Sequence, residues 1–144
     1  MDFQQLSIQI SSLVKDTGTY ILAEREKFSL DHVEVKSLNQ LVSYVDKEAE
    51  KQLVEGLSQL IPQAGFIAEE GSGFNEGNEW TWVIDPLDGT TNFIHGLPVY
   101  SISVGLLQHG QEKVGVVYPV PMNEMFVAWE HGGAWLNGKR ISVS

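Results

Sequence analysis

The chain has 144 residues, 42% of them hydrophobic and 19% charged, with a formal net charge of -10 and no cysteine. That composition fits one globular domain with a real core and excludes disulfides, thiol catalysis and cysteine-based zinc sites. The negative charge argues against a nucleic-acid binder, which needs a basic face to displace counterions, and no apolar run approaches the ~20 residues that span a bilayer.

The first residues, Met1-Asp2-Phe3-Gln4-Gln5, have neither a basic start nor a continuous apolar segment. No secretory signal is expected, and the cytoplasm is the expected compartment. Leu6, Ile10, Leu13, Tyr20 and Ile21, with Thr17 between them, have helical spacing and predict one amphipathic helix from about residue 3 to residue 26. Residues 28–45 mix Val33, Val35, Leu41, Val42 and Val45 with polar residues and read as a loop or short hairpin. Asp46 then reads as the N-cap of a second helix, with Ala49, Leu53, Leu57, Leu60 and Ile61 on its apolar face. Pro62 and Gly65 end it.

From Gly65 the period changes to that of strands. Gly65–Ala68 runs into Glu69-Glu70, residues 71–79 form a loop rich in Gly, Asn and Glu, and Trp80 to Ile84 is the next strand. Val99–Leu107, Lys113–Tyr118, Glu124–Trp129, Ala134–Leu136 and Arg140–Val143 follow. Their turns are His109-Gly110, Pro121-Met122-Asn123, His131-Gly132-Gly133 and Asn137-Gly138, the last being the strongest hairpin signal. Helices first and hairpin strands after them predict the α+β class, with two long helices packed on one face of an antiparallel sheet.

Phosphate-ester hydrolysis needs a polarised phosphoryl group, an activated water and charge stabilisation at the leaving oxygen. Clustered carboxylates holding Mg²⁺ can supply all three. A chain this acidic needs bound cations before a phosphate can approach, although Glu48, Glu50 and Glu55 read as solvated helix surface. Glu69 closes one strand, Asp85 closes another, and Asp88 follows across Pro86-Leu87. If those strands are neighbours, the carboxylates converge; Pro86 fixes the turn and the Leu87 carbonyl can point inward as a neutral ligand. Gly89-Thr90-Thr91-Asn92-Phe93 reads as a helix start, whose unpaired N–H groups and dipole make a phosphate seat. Gly89 allows the backbone close to the anion, and the Thr90 hydroxyl beside Glu69 could orient a metal-bound water.

In isolation, Asp-Pro and Asp-Gly after a strand are simply turn formers. The surrounding motif, the upstream Glu69-Glu70 pair and the Gly-Thr-Thr continuation set this case apart. A haloacid dehalogenase nucleophile is excluded, because Pro86 occupies the position two residues before Asp88 where that aspartate would stand. His32, His95, His109 and His131 have no metal-type spacing, and the four tryptophans alternate with polar residues as core strand residues do.

The runs Phe66-Ile67-Ala68-Glu69-Glu70 and Trp82-Val83-Ile84-Asp85-Pro86-Leu87-Asp88-Gly89-Thr90-Thr91-Asn92-Phe93-Ile94-His95-Gly96-Leu97-Pro98 closely resemble the inositol monophosphatase family. The likeness continues through Ser101-Ile102-Ser103-Val104-Gly105 and Gly133-Ala134-Trp135-Leu136-Asn137-Gly138. The resemblance implies the N-terminal half of that family's sandwich fold and an Mg²⁺-dependent hydrolase of a small phosphorylated substrate. It implies Glu69, Asp85, the Leu87 carbonyl and Asp88 as metal ligands, and Glu69 with Thr90 as the pair that activates water. Gly89 and Thr90 match the phosphate-binding backbone, Asp46 the residue that orients Thr90, and Lys36 a loop over the metals. Leu38-Asn39-Gln40, just beyond Lys36, departs from the family's pattern. Thr91-Asn92 resembles inositol monophosphatases more than relatives acting on 3′-phosphoadenosine phosphates, which have Lys-Glu there. Relatives are commonly homodimers.

The family's second motif, Trp-Asp followed by small residues, completes the second metal site and does not occur here. Trp80 precedes Thr, Trp82 Val, Trp129 Glu and Trp135 Leu, and Trp129-Glu130 reads as strand and turn. The expectation is therefore an N-terminal half-domain over residues 1–144 that lacks the C-terminal half of the fold, with weak hydrolysis by itself and a partly apolar face left open. Inositol 1-phosphate is the leading substrate class. A phosphatase for histidinol phosphate or a sugar bisphosphate is one alternative, and a non-catalytic metal- and phosphate-binding or regulatory module is another.

Overall fold

A computed structural model describes residues 1–27, 35–68 and 78–142, with the side chains of Val35 and Lys36 outside the description. Helix α1 spans Phe3–Glu26, as the spacing predicts, and Asp2 caps it by accepting the Gln5 N–H at 3.1 Å. Leu6, Ile10, Val14, Thr17 and Ile21 form its buried stripe. The buried Thr17 hydroxyl is satisfied within the helix, donating to the Leu13 carbonyl at 3.0 Å. Gly18 faces Tyr118, and a Cβ there would lie 2.7 Å from that ring, so only glycine lets α1 settle this close to the sheet.

Helix α2 spans Val35–Leu60. This corrects the reading of residues 35–45 as loop or hairpin and of Asp46 as an N-cap, since Asp46 lies well inside the helix. The physical reason is a buried stripe at every fourth residue, Leu41, Val45, Ala49, Leu53 and Leu57. Its first two members look scattered only when the segment is cut off from the last three. Burying one face outweighs the weak helix propensity of valine, serine and asparagine. Each fully buried leucine in this stripe contributes roughly 1.5–3 kcal/mol.

The remaining elements are β1 (Gly65–Ala68), β2 (Trp80–Asp88), α3 (Thr90–Ile94), β3 (Ser101–Gln108), β4 (Gln111–Pro119), β5 (Phe126–Trp129), β6 (Gly133–Leu136) and β7 (Lys139–Ile141). They build one seven-stranded sheet in sequence order. All neighbouring pairs are antiparallel except β1 and β2, which run parallel. Residues 28–34 of the predicted loop or hairpin, residues 71–77 of the predicted loop at 71–79, and Val143 lie outside the described residues. The hairpin turns are where the sequence puts them. His109-Gly110 and Asn137-Gly138 both have positive φ at each central residue, 50° and 80° in the first and 49° and 82° in the second, the mirror-image turn that matches strand twist.

Helices α1 and α2 cover one face of the sheet, over Trp82, Ile84, Ile102, Val104, Leu106, Val114 and Val116. Among the described residues no helix is long and apolar enough to cross a membrane. The opposite face is open: Val83 is 39% exposed and Val117 44% exposed.

Candidate active site

The parallel pairing of β1 with β2 decides what meets at the site. Ala68 pairs with Ile84, so the described part of β1 ends beside the residue that precedes Asp85. Glu69 and Glu70 lie outside the described residues. Strand β2 then continues to Asp88 rather than stopping at Ile84, because it stays paired with β3: Asp85 faces Ser103 and Asp88 faces Ser101. Between those pairs Pro86 and Leu87 stand opposite the single residue Ile102, which is a β-bulge. A bulge is one of the few places where a sheet accommodates proline, which cannot donate to the ladder.

The bulge has a chemical consequence. Residues three apart on a regular strand point to opposite faces. Here the exposure pattern runs Trp82 buried, Val83 exposed, Ile84 buried, Asp85 half-buried, Pro86 and Leu87 both buried, Asp88 exposed. The extra residue restores the phase, so Asp85 and Asp88 both turn away from the helices while Leu87 fills the core at 1% exposure. Asp85 Oδ1 also accepts the Leu87 N–H at 3.3 Å, closing a local turn around Pro86. Two carboxylates on one face with a backbone carbonyl between them form an all-oxygen set suited to a hard divalent cation. Among the described residues no group of three or more candidate ligand side chains forms; the described acids here number two, and Glu69 is the expected third.

Gly89 joins β2 to α3 with φ +94°, and a Cβ there would meet the Val99 carbonyl oxygen at 2.8 Å and Tyr100 Cα at 3.3 Å. The first helical bond of α3 runs from the Phe93 N–H to the Gly89 carbonyl at 3.0 Å. The Asn92 side-chain amide donates to the Val99 carbonyl at 2.8 Å, and buried Phe93 meets Tyr100 edge to face at 5.3 Å. Burial raises the Tyr100 phenol, with Arg25 pulling in the opposite direction. A cleft of about 340 Å³ beside this turn is lined by Asp88, Gly89, Asn92, Val99, Tyr100 and Ser101. A larger groove of about 590 Å³ between α1 and the stacked Trp129 and Trp135 holds none of the predicted site residues.

The structure thus brings Asp85, Leu87, Asp88, Gly89 and half-buried Thr90 into one contiguous turn. Asp46 is half-buried on α2, which packs against α3. Lys36, expected in a loop, has its backbone in the first turn of α2. Two features escaped the sequence reading. The bulge could have been suspected from a proline inside a paired strand. Arg25, whose Nε donates to the Phe93 carbonyl at 2.9 Å, carries no motif. His95 is exposed at the end of α3, and Glu130 pairs with Lys113 in the turn after β5.

Comparison with known proteins bears on this geometry. A family model described as the inositol monophosphatase family matches residues 2–144. The chain is 42% identical over 116 residues to a fructose-1,6-bisphosphatase/inositol-1-monophosphatase of Thermotoga maritima, covering 80% of this chain and 44% of that protein. It is 38% identical over 135 residues to an inositol monophosphatase of Dictyostelium discoideum, covering 92% of this chain and 49% of the relative. Among solved structures, extragenic suppressor protein suhB from Bartonella henselae superposes with a TM-score of 0.84 at 30% identity, covering 97% of this chain and 54% of that one. The chain spans about half the length of the relatives it matches.

Proposed function

The chain belongs to the inositol monophosphatase family, and from that premise we propose that it carries the first half of an Mg²⁺-dependent phosphomonoesterase site. The observation that supports this best is the pairing of Ala68 with Ile84 on parallel strands, followed by two aspartates turned to one face across a bulge. Glu69 follows Ala68 by one peptide unit, about 3.8 Å from Cα to Cα, so its carboxylate can reach the same end of the sheet as that of Asp85. In this reading Glu69, Asp85, Asp88 and the Leu87 carbonyl hold the cation. When bound, it polarises a phosphoryl oxygen and makes water a better nucleophile at neutral pH.

The chain's own groups do the rest. The amides of Thr90, Thr91 and Asn92 precede the first helical bond of α3 and can receive phosphate oxygens. The Thr90 hydroxyl aligns the attacking water, and Glu69 accepts its proton as the new P–O bond forms; the ester P–O bond breaks, and the departing alkoxide takes a proton from solvent to leave as the alcohol. Asp46 orients Thr90, and Lys36 is assigned to the same site by the family resemblance. Inositol 1-phosphate is the leading substrate. A sugar bisphosphate is the second, favoured by the double name of the Thermotoga maritima relative.

The relatives are about twice as long, and no Trp-Asp pair occurs in this sequence. The ligands of a second metal and the contacts to the substrate alcohol belong, in this reading, to sequence outside these residues. A half-site that binds without turnover is therefore the state expected of the 144-residue chain. The test is calorimetric Mg²⁺ titration paired with phosphate release from inositol 1-phosphate. Binding without turnover supports the half-site, binding with turnover supports a complete enzyme, and no Mg²⁺ binding refutes both.

A further inference from the structure

We infer that Arg25 is a positioning residue: from the last turn of α1 its guanidinium fixes α3, and with it the Gly89–Thr90 turn, against the sheet. The inference rests on the site reading above for its functional consequence, but its structural basis is independent. Arg25 Nε donates to the Phe93 carbonyl at 2.9 Å across 68 residues of sequence. The guanidinium carbon lies 5.8 Å from the Phe93 ring centroid, and one of its terminal nitrogens is buried. One side chain therefore grips Phe93 by both its backbone and its ring.

Phe93 is the right residue to grip. It is fully buried, and its edge-to-face partner is Tyr100 at 5.3 Å. Tyr100 Cα is in turn one of the atoms that a Cβ on Gly89 would meet. A helix of five residues has no independent stability, so its orientation must come from tertiary tethers. The Phe93 carbonyl lies in the last turn of α3, where it also accepts the Gly96 N–H at 3.3 Å and where a cation is favoured. Arginine suits this place better than lysine, because its planar fork can donate to a carbonyl and lie over a ring at once. The long helix α1, anchored by its own buried stripe, thereby transmits its rigidity to the short helix beside Asp88.

The experiment uses the 144-residue chain with Arg25→Met, which keeps the apolar stem, and Arg25→Lys, which also keeps the charge. Native-state amide exchange is read at Phe93 and His95 against Ile102 and Val104 of β3, and binding of inorganic phosphate in the presence of Mg²⁺ is read by calorimetry. In Arg25→Met, exchange at the α3 amides is expected to rise about ten- to hundredfold, the scale of one charge-assisted hydrogen bond, with the β3 amides unchanged. Phosphate affinity should fall by a comparable factor, Arg25→Lys should be intermediate, and millimolar guanidinium should restore part of the affinity in Arg25→Ala. Unchanged α3 exchange in the folded variants, or equal acceleration across α3 and β3, overturns the inference. So does α3 loosening with phosphate affinity intact. If Arg25→Met does not fold, Arg25→Lys alone decides by the same contrast. If the parent chain binds no phosphate at all, the site reading fails, and acceleration confined to α3 still establishes the brace.

Discussion

Replacing Gly89 with alanine separates two reasons for glycine at this turn, because the chain offers a matched control. Gly89 and Gly110 both have positive φ, +94° and +80°. A Cβ at Gly110 meets nothing within 4 Å, whereas at Gly89 it would lie 2.8 Å from the Val99 carbonyl oxygen. Gly110→Ala should therefore show only the backbone cost, about 1 kcal/mol. Gly89→Ala adds a steric conflict with backbone that cannot easily move: Tyr100 is 7% exposed, and its carbonyl accepts the Val120 N–H at 3.0 Å. Overpacking of that kind costs about 1–3 kcal/mol more, so the total is about 2–4 kcal/mol. At about 3 °C per kcal/mol for a domain of this size, calorimetric melting should drop by roughly 6–12 °C for Gly89→Ala and roughly 3 °C for Gly110→Ala. Mg²⁺ affinity should fall only in Gly89→Ala, since Asp88 and Thr90 flank that position. Equal melting shifts in the two variants would refute the close-approach argument, whatever happened at the metal.

Asp85→Asn and Asp88→Asn should each weaken Mg²⁺ binding by at least about tenfold, read by titration calorimetry. Exposed Asp88 should do so with little change in metal-free stability, within about 0.5 kcal/mol, and unaltered affinity in both variants would remove these residues from the site. Inositol 1-phosphate turnover by the 144-residue chain should be far below that of an intact relative assayed alongside it, and comparable turnover would sink the half-site reading. The hydrogen bond from Lys113, assisted by its charge, holds the Glu130 carboxyl below its ordinary value of 4.5. The stabilisation it gives is present above that value and is lost as pH falls through the lower folded value. Urea midpoints measured between about pH 6 and pH 3 should thus fall less steeply for Lys113→Met than for the parent.

What could be read from the sequence was what depends on short spans. α1 was legible because its apolar residues keep helical spacing along one stripe, and the hairpin turns because Asn-Gly and His-Gly fix backbone signs locally. Residues 35–45 of α2 were not, because Leu41 and Val45 join a stripe only when Ala49, Leu53 and Leu57 are already assigned to it. The site divides the same way. Its acids and glycine stand in one motif and are visible as residues, but their shared direction is not. It depends on a bulge created by pairing with β3, whose partner residues Ser101 and Ser103 lie more than a dozen positions downstream. The brace from Arg25 spans still further and has no local signature at all.

The open face and the acids are one surface. Val83, Gly105, Gly115 and Ala128 lie in register across β2 to β5 on the side away from the helices, and built Cβ atoms on Gly105 and Gly115 would meet no side chain within 4 Å. The phase set by the bulge places Asp85 and Asp88 on the continuation of that same side. In the half-site reading, and in a chain with a formal net charge of -10, gathering Glu69, Asp85 and Asp88 at one sheet end would be unfavourable until a cation bound, and the cation would then stabilise the fold that held it. In the half-site reading, polypeptide that covered the small-residue row would arrive beside the acids on the side the helices leave free. That is the direction from which a second set of metal ligands could reach the cation without displacing the phosphate seated at α3.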